Sequence, residues 1–480
     1  MNPAPDLRSY LTTLRTTHPN SLMEVSRAVT AGEEISSVVK ALEPYGAPAV
    51  MFENVKDSPL PVLMGLFGTR ARIAEAIGTT PDDALDHVLS LQAPDYPVAR
   101  VAGSAPVQEV IVTCDDVDLG DLPFATHSRD DAGAYITAGV VLAKHPVTGK
   151  INTGMYRLMI TGKNTITVNA APDHDLGRIF AAARELGQSV PIAVVIGHHP
   201  AYAIASQLKN PATIDAHELA GALLREPLQV VSGVSVDLEV PAGAEIVLEG
   251  IVDPSHRVEE GPFGEFSYYY GAAAAPVCTV TAITRRSDAI FQDLHPTHAE
   301  HLCLWLFPGR EARLLEAVRR AVPTTKAVRI PFYGGSFSAY LSVSKLRDGD
   351  GKQALLAAFA VDHFLKHVIV VDEDIDVNDD TAVLWSLNVR FQAERDLLRI
   401  PEAKGIRMDP SARQFKTFRG TDTTTDKLGF DTTRPLAPEF PVRADLPHPR
   451  FESISLSDYL EADDILSVAA FDEIINSRRE

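Results

Sequence analysis

Between residue 110 and about residue 290 the chain breaks into short β-rich runs, at 136–143, 157–160, 165–168, 192–196, 236–240, 246–251 and 277–284. Gly, Pro, Asn and Asp turn signals separate them, a pattern that folds as a barrel or sandwich. Two helical patterns interrupt it, at 176–186 and 217–224. The segments on either side read differently. Before it, Leu7, Tyr10, Leu11 and Leu14 recur at helical spacing behind Asp6, strand-like runs follow at 49–55 and 62–67, and helices are predicted at 69–77 and 81–89. The second of these helices is expected to open with Thr80 as its cap and Pro81 in its first turn.

After the β-rich stretch, an amphipathic helix at 311–321 closes at Pro323. Strand-like and helical runs then alternate: strands at 328–331, 339–343 and 367–371, helices at 352–364 and 379–392. This is the pattern of a second α/β domain with a largely buried sheet. Beyond Arg434 the chain is Pro-rich, with a helical pattern at 471–477 that could dock on another subunit. The expected organisation is therefore an α/β domain over 1–107, a β-rich barrel or sandwich domain over 108–308, a linking helix over 309–325 and an α/β domain over 326–480. No internal repeat is visible.

Composition excludes several function classes. At 480 residues the chain is long enough for two or three cores. A hydrophobic content of 45% and a charged content of 22% are those of an ordinary globular protein. The net charge of −20 argues against broad binding to nucleic acid or anionic membranes, while leaving room for a local phosphate pocket. Cys114, Cys278 and Cys303 are too dispersed for a disulfide framework or a zinc cluster and are expected as small buried hydrophobes. No leader-like segment and no run approaching the ~18–20 apolar residues of a membrane span is seen, so a cytoplasmic location is expected.

Neither a P-loop nor a G-x-G-x-x-G opening a helix is present. The Asp348–Lys352 run lacks the spacing of a calcium loop and reads as a solvated turn. His295, His298 and His301 would drift by roughly 60° per step around a helix, so they read as a pocket wall with possible substrate contacts, not as a metal triad. His198 and His199, next to Pro200, can place at most one ring in a site. The run Glu259-Glu260-Gly261-Pro262-Phe263-Gly264-Glu265 is more informative, because Gly and Pro between acids set two carboxylates side by side in a tight turn. Such a pair in a partly dry site can furnish a general acid near neutral pH. Asn152-Thr153-Gly154-Met155-Tyr156-Arg157 adds an amide oxygen for a hard cation and an arginine able to grip a carboxylate or phosphate.

The order of several motifs carries a resemblance. Asn-x-Gly-x-Tyr-Arg at 152–157, Asp173-His174, the His217–Leu223 run, Val240-Pro241-Ala242, the Glu245–Gly250 run and Glu-Gly-Pro-Phe-Gly-Glu at 260–265 resemble the UbiD family of reversible decarboxylases. Phe52–Val55, Asp131-Ala132-Gly133 with Tyr135-Ile136-Thr137, and the Asp372–Asp376 run extend the likeness over nearly the whole chain. The resemblance implies a central split β-barrel carrying prenylated FMN, flanked by N-terminal and C-terminal α/β domains, with a divalent ion (Mn2+ or Mg2+) and K+.

It further implies that Asn152, His174 and Glu218 are the divalent ligands tying down the cofactor phosphate, a mixed oxygen and imidazole set suited to such an ion. Arg157, Glu260 and Glu265 resemble the family's catalytic arginine and glutamates, with Glu265 as proton donor. Thr153, Gly154, Met155, Tyr156 and Asp173 would line the cofactor. Lys427 would reach its phosphate, and backbone oxygens near Ala205, Ser206 and Leu208 resemble the potassium site. Thr153 and Met155-Tyr156 depart from the residues of cinnamate-type relatives, which points away from a cinnamic acid.

The implied activity is non-oxidative, reversible decarboxylation of an aromatic, heteroaromatic or α,β-unsaturated acid through a covalent adduct with the prenylated flavin. Hydroxylated or heteroaromatic ring acids are favoured, with His295, His298 or His301 as substrate contacts. A flavin prenyltransferase is implied as cofactor supplier, and assembly as a homo-oligomer, dimer or hexamer. Two other readings stay open: a polyprenyl-hydroxybenzoate decarboxylase of quinone biosynthesis, which needs a long apolar pocket, and a flavin-binding subunit without turnover.

Overall fold

A computed structural model describes residues 4–91, 96–208, 216–417, 420–437, 439–444 and 459. The chain divides into two units, Met1–Thr433 and Arg434–Glu480. The described residues of the second unit contain neither helix nor strand, and the helical pattern at 471–477 lies outside them. All that follows concerns the first unit, a mixed α/β assembly around a curled half-barrel sheet.

Helix α1 (Leu7–Thr17) opens on a reciprocal cap between Asp6 and Ser9 and buries Leu7, Tyr10, Leu11 and Leu14, the predicted face. Strand β1 (Leu22–Val25), helix α2 (Glu34–Ala41) and strands β2 (Ala49–Phe52) and β3 (Val62–Met64) follow. Strands β1 and β2 pair in parallel, β2 and β3 antiparallel. A fourth strand comes from far along the chain: Phe291-Gln292 pairs in parallel with β3, Phe291 opposite Val62. That return carries residues 293–298 to the side of α2. Helix α3 (Arg70–Ala76) is capped by the Thr69 side chain, and helix α4 spans Ala84–Ser90. Helix α4 starts later than Thr80-Pro81 predicts, because the Thr80 hydroxyl accepts from the Asp83 amide at 3.3 Å and closes a turn first.

The β-rich stretch forms strands β4 (Val110–Thr113), β5 (Val140–Lys144), β6 (Ile151–Met155), β7 (Thr165–Thr167), β8 (Val190–Ile196), β9 (Ile246–Gly264) and β10 (Tyr270–Arg285). The sheet order is β7-β10-β9-β8-β5-β6, with β4 on the other part of β10. The β9–β10 ribbon slips register at Glu249/Gly250, Asp253/Arg257 and Glu260/Phe263, and such bulges bend the ribbon into a half barrel. The last slip needs Gly261, whose φ of 105° lies in the left-handed region and where a Cβ would come within 2.6 Å of the Gly271 carbonyl oxygen. Helices α5 (Asp175–Glu185), α6 (Pro200–Gln207) and α7 (Ala216–Leu224) interrupt the strands, and all three pack against β6.

Helix α8 (Ala299–Leu306) and helix α9 (Gly309–Ala321) lead to the last sheet. Strands β11 (Thr325–Arg329), β12 (Ser338–Val343), β13 (His367–Asp372), β14 (Leu397–Lys404), β15 (Arg413–Thr417) and β16 (Gly420–Asp431) order as β11-β12-β13-β16-β14, with β15 on β16. Helices α10 (Asp350–Val361) and α11 (Asp380–Arg390) accompany it. The calcium-like run is a turn at 348–349 that runs into the first turn of α10, where the Asp350 carboxylate accepts from the Leu346 and Arg347 amides. Cys278 and Cys303 are buried thiols, whereas Cys114 is exposed, contrary to expectation, because it opens a surface turn at φ 58°. Among the described residues no helix is long and apolar enough to cross a membrane.

Candidate active site

Strand β6 ends two residues before Arg157, and the β9–β10 turn brings Glu260 and Glu265 to the same guanidinium. Nε of Arg157 donates to Glu260 Oε1 at 2.9 Å and Nη2 to Glu260 Oε2 at 2.8 Å, while Nη1 donates to Glu265. Glu260 is completely buried; the side chains of Arg157 and Glu265 are each 12% exposed. Burial works against the Arg157 charge, but Glu265 and Glu260 more than offset it and raise its pKa. The guanidinium also lies over the Phe263 ring, 4.7 Å from its centroid. The two carboxylates predicted to lie side by side are thus separated by a shared cation.

Second contacts fix this geometry. The Asn169 amide donates to Glu260. Asp131 accepts from the Gly264 amide at 2.8 Å and from the Ser128 amide at 2.8 Å, pinning the turn to the loop before β5. The Tyr135 hydroxyl, its pKa raised by burial and then by the Glu260 charge, donates to the Pro262 carbonyl at 3.5 Å. Glu265 closes its own turn: its amide donates to Tyr269 O at 3.0 Å and its carbonyl accepts from Tyr268 N at 2.9 Å. A side chain at position 271 would collide with Glu265, since a Cβ on Gly271 would lie 2.6 Å from Oε1. Asp131 and Tyr135 stand in motifs visible in the sequence. Asn169 does not, because it simply follows the strand-like run 165–168.

A second group forms around β6. The buried amide nitrogen of Asn152 has no hydrogen-bond partner. Tyr156, whose pKa burial raises, has its hydroxyl beside the Asn152 side chain and the Leu176 backbone amide in the first turn of α5. Its ring centroid is 6.3 Å from that of His174, the exposed residue preceding α5. Thr153, Gly154 and Met155 pair with Leu142, Val141 and Val140 of β5. Asp173 is exposed, and Lys404 of β14 lies 3.7 Å from its carboxylate. Glu218 is half-buried on α7, which packs against β6.

The side chains of two further expected residues bond to backbone carbonyls. The Ser206 hydroxyl donates to Ala203 O at 2.7 Å within its own helix. Lys427 of β16 is not a surface residue: it is buried and donates to the carbonyls of His363 at 3.0 Å and Leu365 at 2.6 Å. Burial pushes its pKa down to about 8.

The three histidines diverge. His295 lines a cavity of about 490 Å3 with Ser36, Ser37, Lys40, His127 and Thr297. His298 caps α8, its Nδ1 accepting from the Glu300 amide at 2.9 Å, and His301 stacks on Trp305 at 6.1 Å. Burial lowers the pKa of all three, that of His298 to about 4. Nearby, buried His127 meets buried Asp293 at 2.9 Å; burial opposes the imidazolium and Asp293 more than restores it. Among the described residues no three His, Cys, Asp or Glu side chains form a preformed metal cage.

The sequence matches three consecutive domain families: the 3-octaprenyl-4-hydroxybenzoate carboxy-lyase N-terminal domain over residues 15–92, the Rift-related domain over 99–299 and the C-terminal domain over 305–432. The anhydromevalonate phosphate decarboxylase of Methanothermobacter thermautotrophicus is 34% identical over 415 residues, 85% of this chain and 95% of the relative. Among solved structures, the UbiD-class enzyme HmfF from Pelotomaculum thermopropionicum, in complex with FMN, is 38% identical with a TM-score of 0.89, covering 95% of this chain and 100% of that one. An evolved dimeric form of HmfF in complex with prFMN is 36% identical with a TM-score of 0.84 at the same coverage. The 3,4-dihydroxybenzoic acid decarboxylase of Enterobacter cloacae, in its apo form, is 31% identical with a TM-score of 0.84, covering 93% of this chain and 98% of that one. With three family domains in order and likeness along almost its full length, the chain belongs to the UbiD family of carboxy-lyases, the decarboxylases that the motifs between Asn152 and Glu265 resemble.

Proposed function

We propose that this protein catalyses the non-oxidative, reversible decarboxylation of an unsaturated carboxylic acid, with Arg157, Glu260 and Glu265 as its catalytic residues. One observation carries the reading: a single partly buried guanidinium is shared by two carboxylates on one turn. A protein that only bound flavin would have no use for that trio. Decarboxylation requires an electron sink for the pair left on carbon as CO2 departs, and prenylated FMN supplies that sink when bound.

The residues around β6 fit such a cofactor. The buried Asn152 amide nitrogen, beside the Tyr156 hydroxyl near the first turn of α5, is a donor suited to a phosphate oxygen, and the N-terminal end of that helix favours phosphate. Asn152, His174 and Glu218 would hold the divalent ion with phosphate oxygens completing its shell. Lys404, placed next to Asp173, and Lys427 would add positive charge from the C-terminal sheet. The backbone near Ser206 would hold K+. Tyr156 and Met155 would border the flavin.

In the reaction Arg157 orients the substrate carboxylate. The C–C bond to that carboxylate breaks, its electron pair is taken up, CO2 leaves, and Glu265 delivers a proton to the same carbon. Carboxylation runs these steps in reverse. Glu260, buried and held by Arg157 and Asn169, keeps the guanidinium in place.

The substrate class spans aromatic, heteroaromatic and other unsaturated acids. Ring acids are supported by the likeness to the 3,4-dihydroxybenzoic acid decarboxylase, and phosphorylated acids by the likeness to the anhydromevalonate phosphate decarboxylase. Of the three histidines, His295 would be the one to meet a polar substituent, a reading supported by its place in an open depression with Lys40 and His127. The active form would be a homo-oligomer loaded by a flavin prenyltransferase.

The test is to produce the protein together with a flavin prenyltransferase, identify bound cofactor by mass spectrometry, and measure CO2 release from 3,4-dihydroxybenzoic acid, vanillic acid, nicotinic acid as a simple heteroaromatic acid, and anhydromevalonate phosphate. Retained prenylated flavin with CO2 release from one of these acids is expected. Protein that never retains flavin with Mn2+ and K+ present would overturn the proposal.

A further inference from the structure

The turn carrying Glu265 is anchored at its stems. Gly264 is held by Asp131, and the Asp130 amide donates to the Tyr270 hydroxyl at 3.1 Å. Phe266 is buried among His301, Trp305 and Phe337. The tip is different. Tyr268 is 63% exposed, and its φ of 63° lies in the left-handed region that a residue with a side chain rarely adopts. Its hydroxyl accepts from Nζ of Lys40 on α2 at 3.2 Å, and the same ammonium lies 5.3 Å from the centroid of its ring. Tyr268 is bonded through its amide to the carbonyl of Glu265, so a shift of the tip is a shift of the Glu265 backbone.

An exposed lysine bond is ordinarily worth little, because a long flexible side chain must be ordered to make it. Lys40 is already ordered. Its ammonium pairs with Glu43 and donates to Thr297 O at 2.9 Å, and Glu43 in turn accepts from the Ala299 amide at 2.8 Å at the start of α8. The third bond of Lys40 therefore costs little additional entropy. One ammonium joins α2, the segment leading into α8 and the tip of the Glu265 turn.

We propose that Lys40 is a positioning residue for proton delivery, holding the 265–269 turn through Tyr268 so that the Glu265 carboxyl stays in register with Arg157. This rests on the reading of Glu265 as proton donor.

The test compares Lys40→Met, Lys40→Arg, Tyr268→Phe and the Lys40→Met/Tyr268→Phe double variant as flavin-loaded proteins. Backbone amide hydrogen exchange over residues 264–270 is read by mass spectrometry, with 150–157 as internal control. Lys40→Met is expected to speed exchange in the turn about fivefold or more, and Tyr268→Phe, which keeps the ring beside the ammonium, by less, with the double variant no faster than Lys40→Met because Tyr268→Phe removes part of the same link. On whichever of the four named acids gives CO2, kcat for Lys40→Met should fall about tenfold with KM within about twofold, and Lys40→Arg should recover most of the loss. A merely structural lysine would change melting temperature without that kcat-against-KM split. Unchanged exchange in the turn, effects that add in the double variant, or a loss confined to KM would each overturn the proposal. Absence of CO2 from every acid would sink the decarboxylase reading instead, while the exchange measurement would still decide whether Lys40 holds the turn.

Discussion

Arg157 and Glu260 meet fork to fork: two parallel N–H···O bonds of 2.9 and 2.8 Å join a largely buried guanidinium to a fully buried carboxylate. Removing one side of such a pair leaves an uncompensated buried charge. Glu260→Ala should therefore destabilise the apo-protein by about 3–5 kcal/mol in urea unfolding, far more than an exposed glutamate would. A loss below about 1 kcal/mol would mean that Arg157 finds water or Glu265 as a sufficient partner.

Glu265 is joined to Arg157 by one nitrogen and stands nearer to solvent. Glu265→Gln keeps the size and a hydrogen-bonding oxygen but cannot release a proton. It should retain flavin, lose CO2 release by about a hundredfold or more, and lose exchange of solvent deuterium into the product carbon. Full activity in this variant would assign proton transfer to another group.

Asn152 is the amide whose buried nitrogen has no partner, next to the first turn of α5. Asn152→Ala should lower flavin retention at limiting Mn2+ by about tenfold, and added Mn2+ should restore part of it. Retention independent of Mn2+ in both proteins would argue against a metal at this position.

Glu300 gives a pH prediction from its environment. It is fully buried; burial raises its pKa from the ordinary 4.5 to about 7, although the amides of His295, Phe67 and Gly65 pull the other way. A carboxyl with a raised folded-state pKa costs nothing below pH 4.5, and its penalty grows until the pH passes about 7. The stability of Glu300→Gln relative to the natural protein should therefore rise by about 3 kcal/mol between those limits, measured by urea unfolding across pH. A flat difference would show that the three amides satisfy the carboxylate fully.

What local sequence determined is considerable. The helix faces of α1 and α9, the strand segments at 140–143, 165–167, 192–196, 246–251 and 277–284 and the acid-rich turn follow from periodicity and turn chemistry, which are short-range properties, whereas the strand at 151–155 and the extension of the β9–β10 ribbon through 252–264 and 270–276 do not, and the runs at 157–160 and 236–240 contribute to other small sheets. The likeness of ordered motifs was enough to place Asn152, Arg157, Glu260 and Glu265 in one expected site. Tertiary structure decided the rest. Phe291-Gln292 joins β3, which brings Asp293 to His127 and residues 295–297 to α2, and no local pattern announces a two-residue strand. Asn169 touches Glu260 and Lys40 reaches Tyr268 across long stretches of chain, while Lys427 is buried and donates to carbonyls from another loop. Periodicity specifies which face of an element turns inward; which distant side chain meets it depends on how sheets stack and loops return, and that is set only when the whole chain packs.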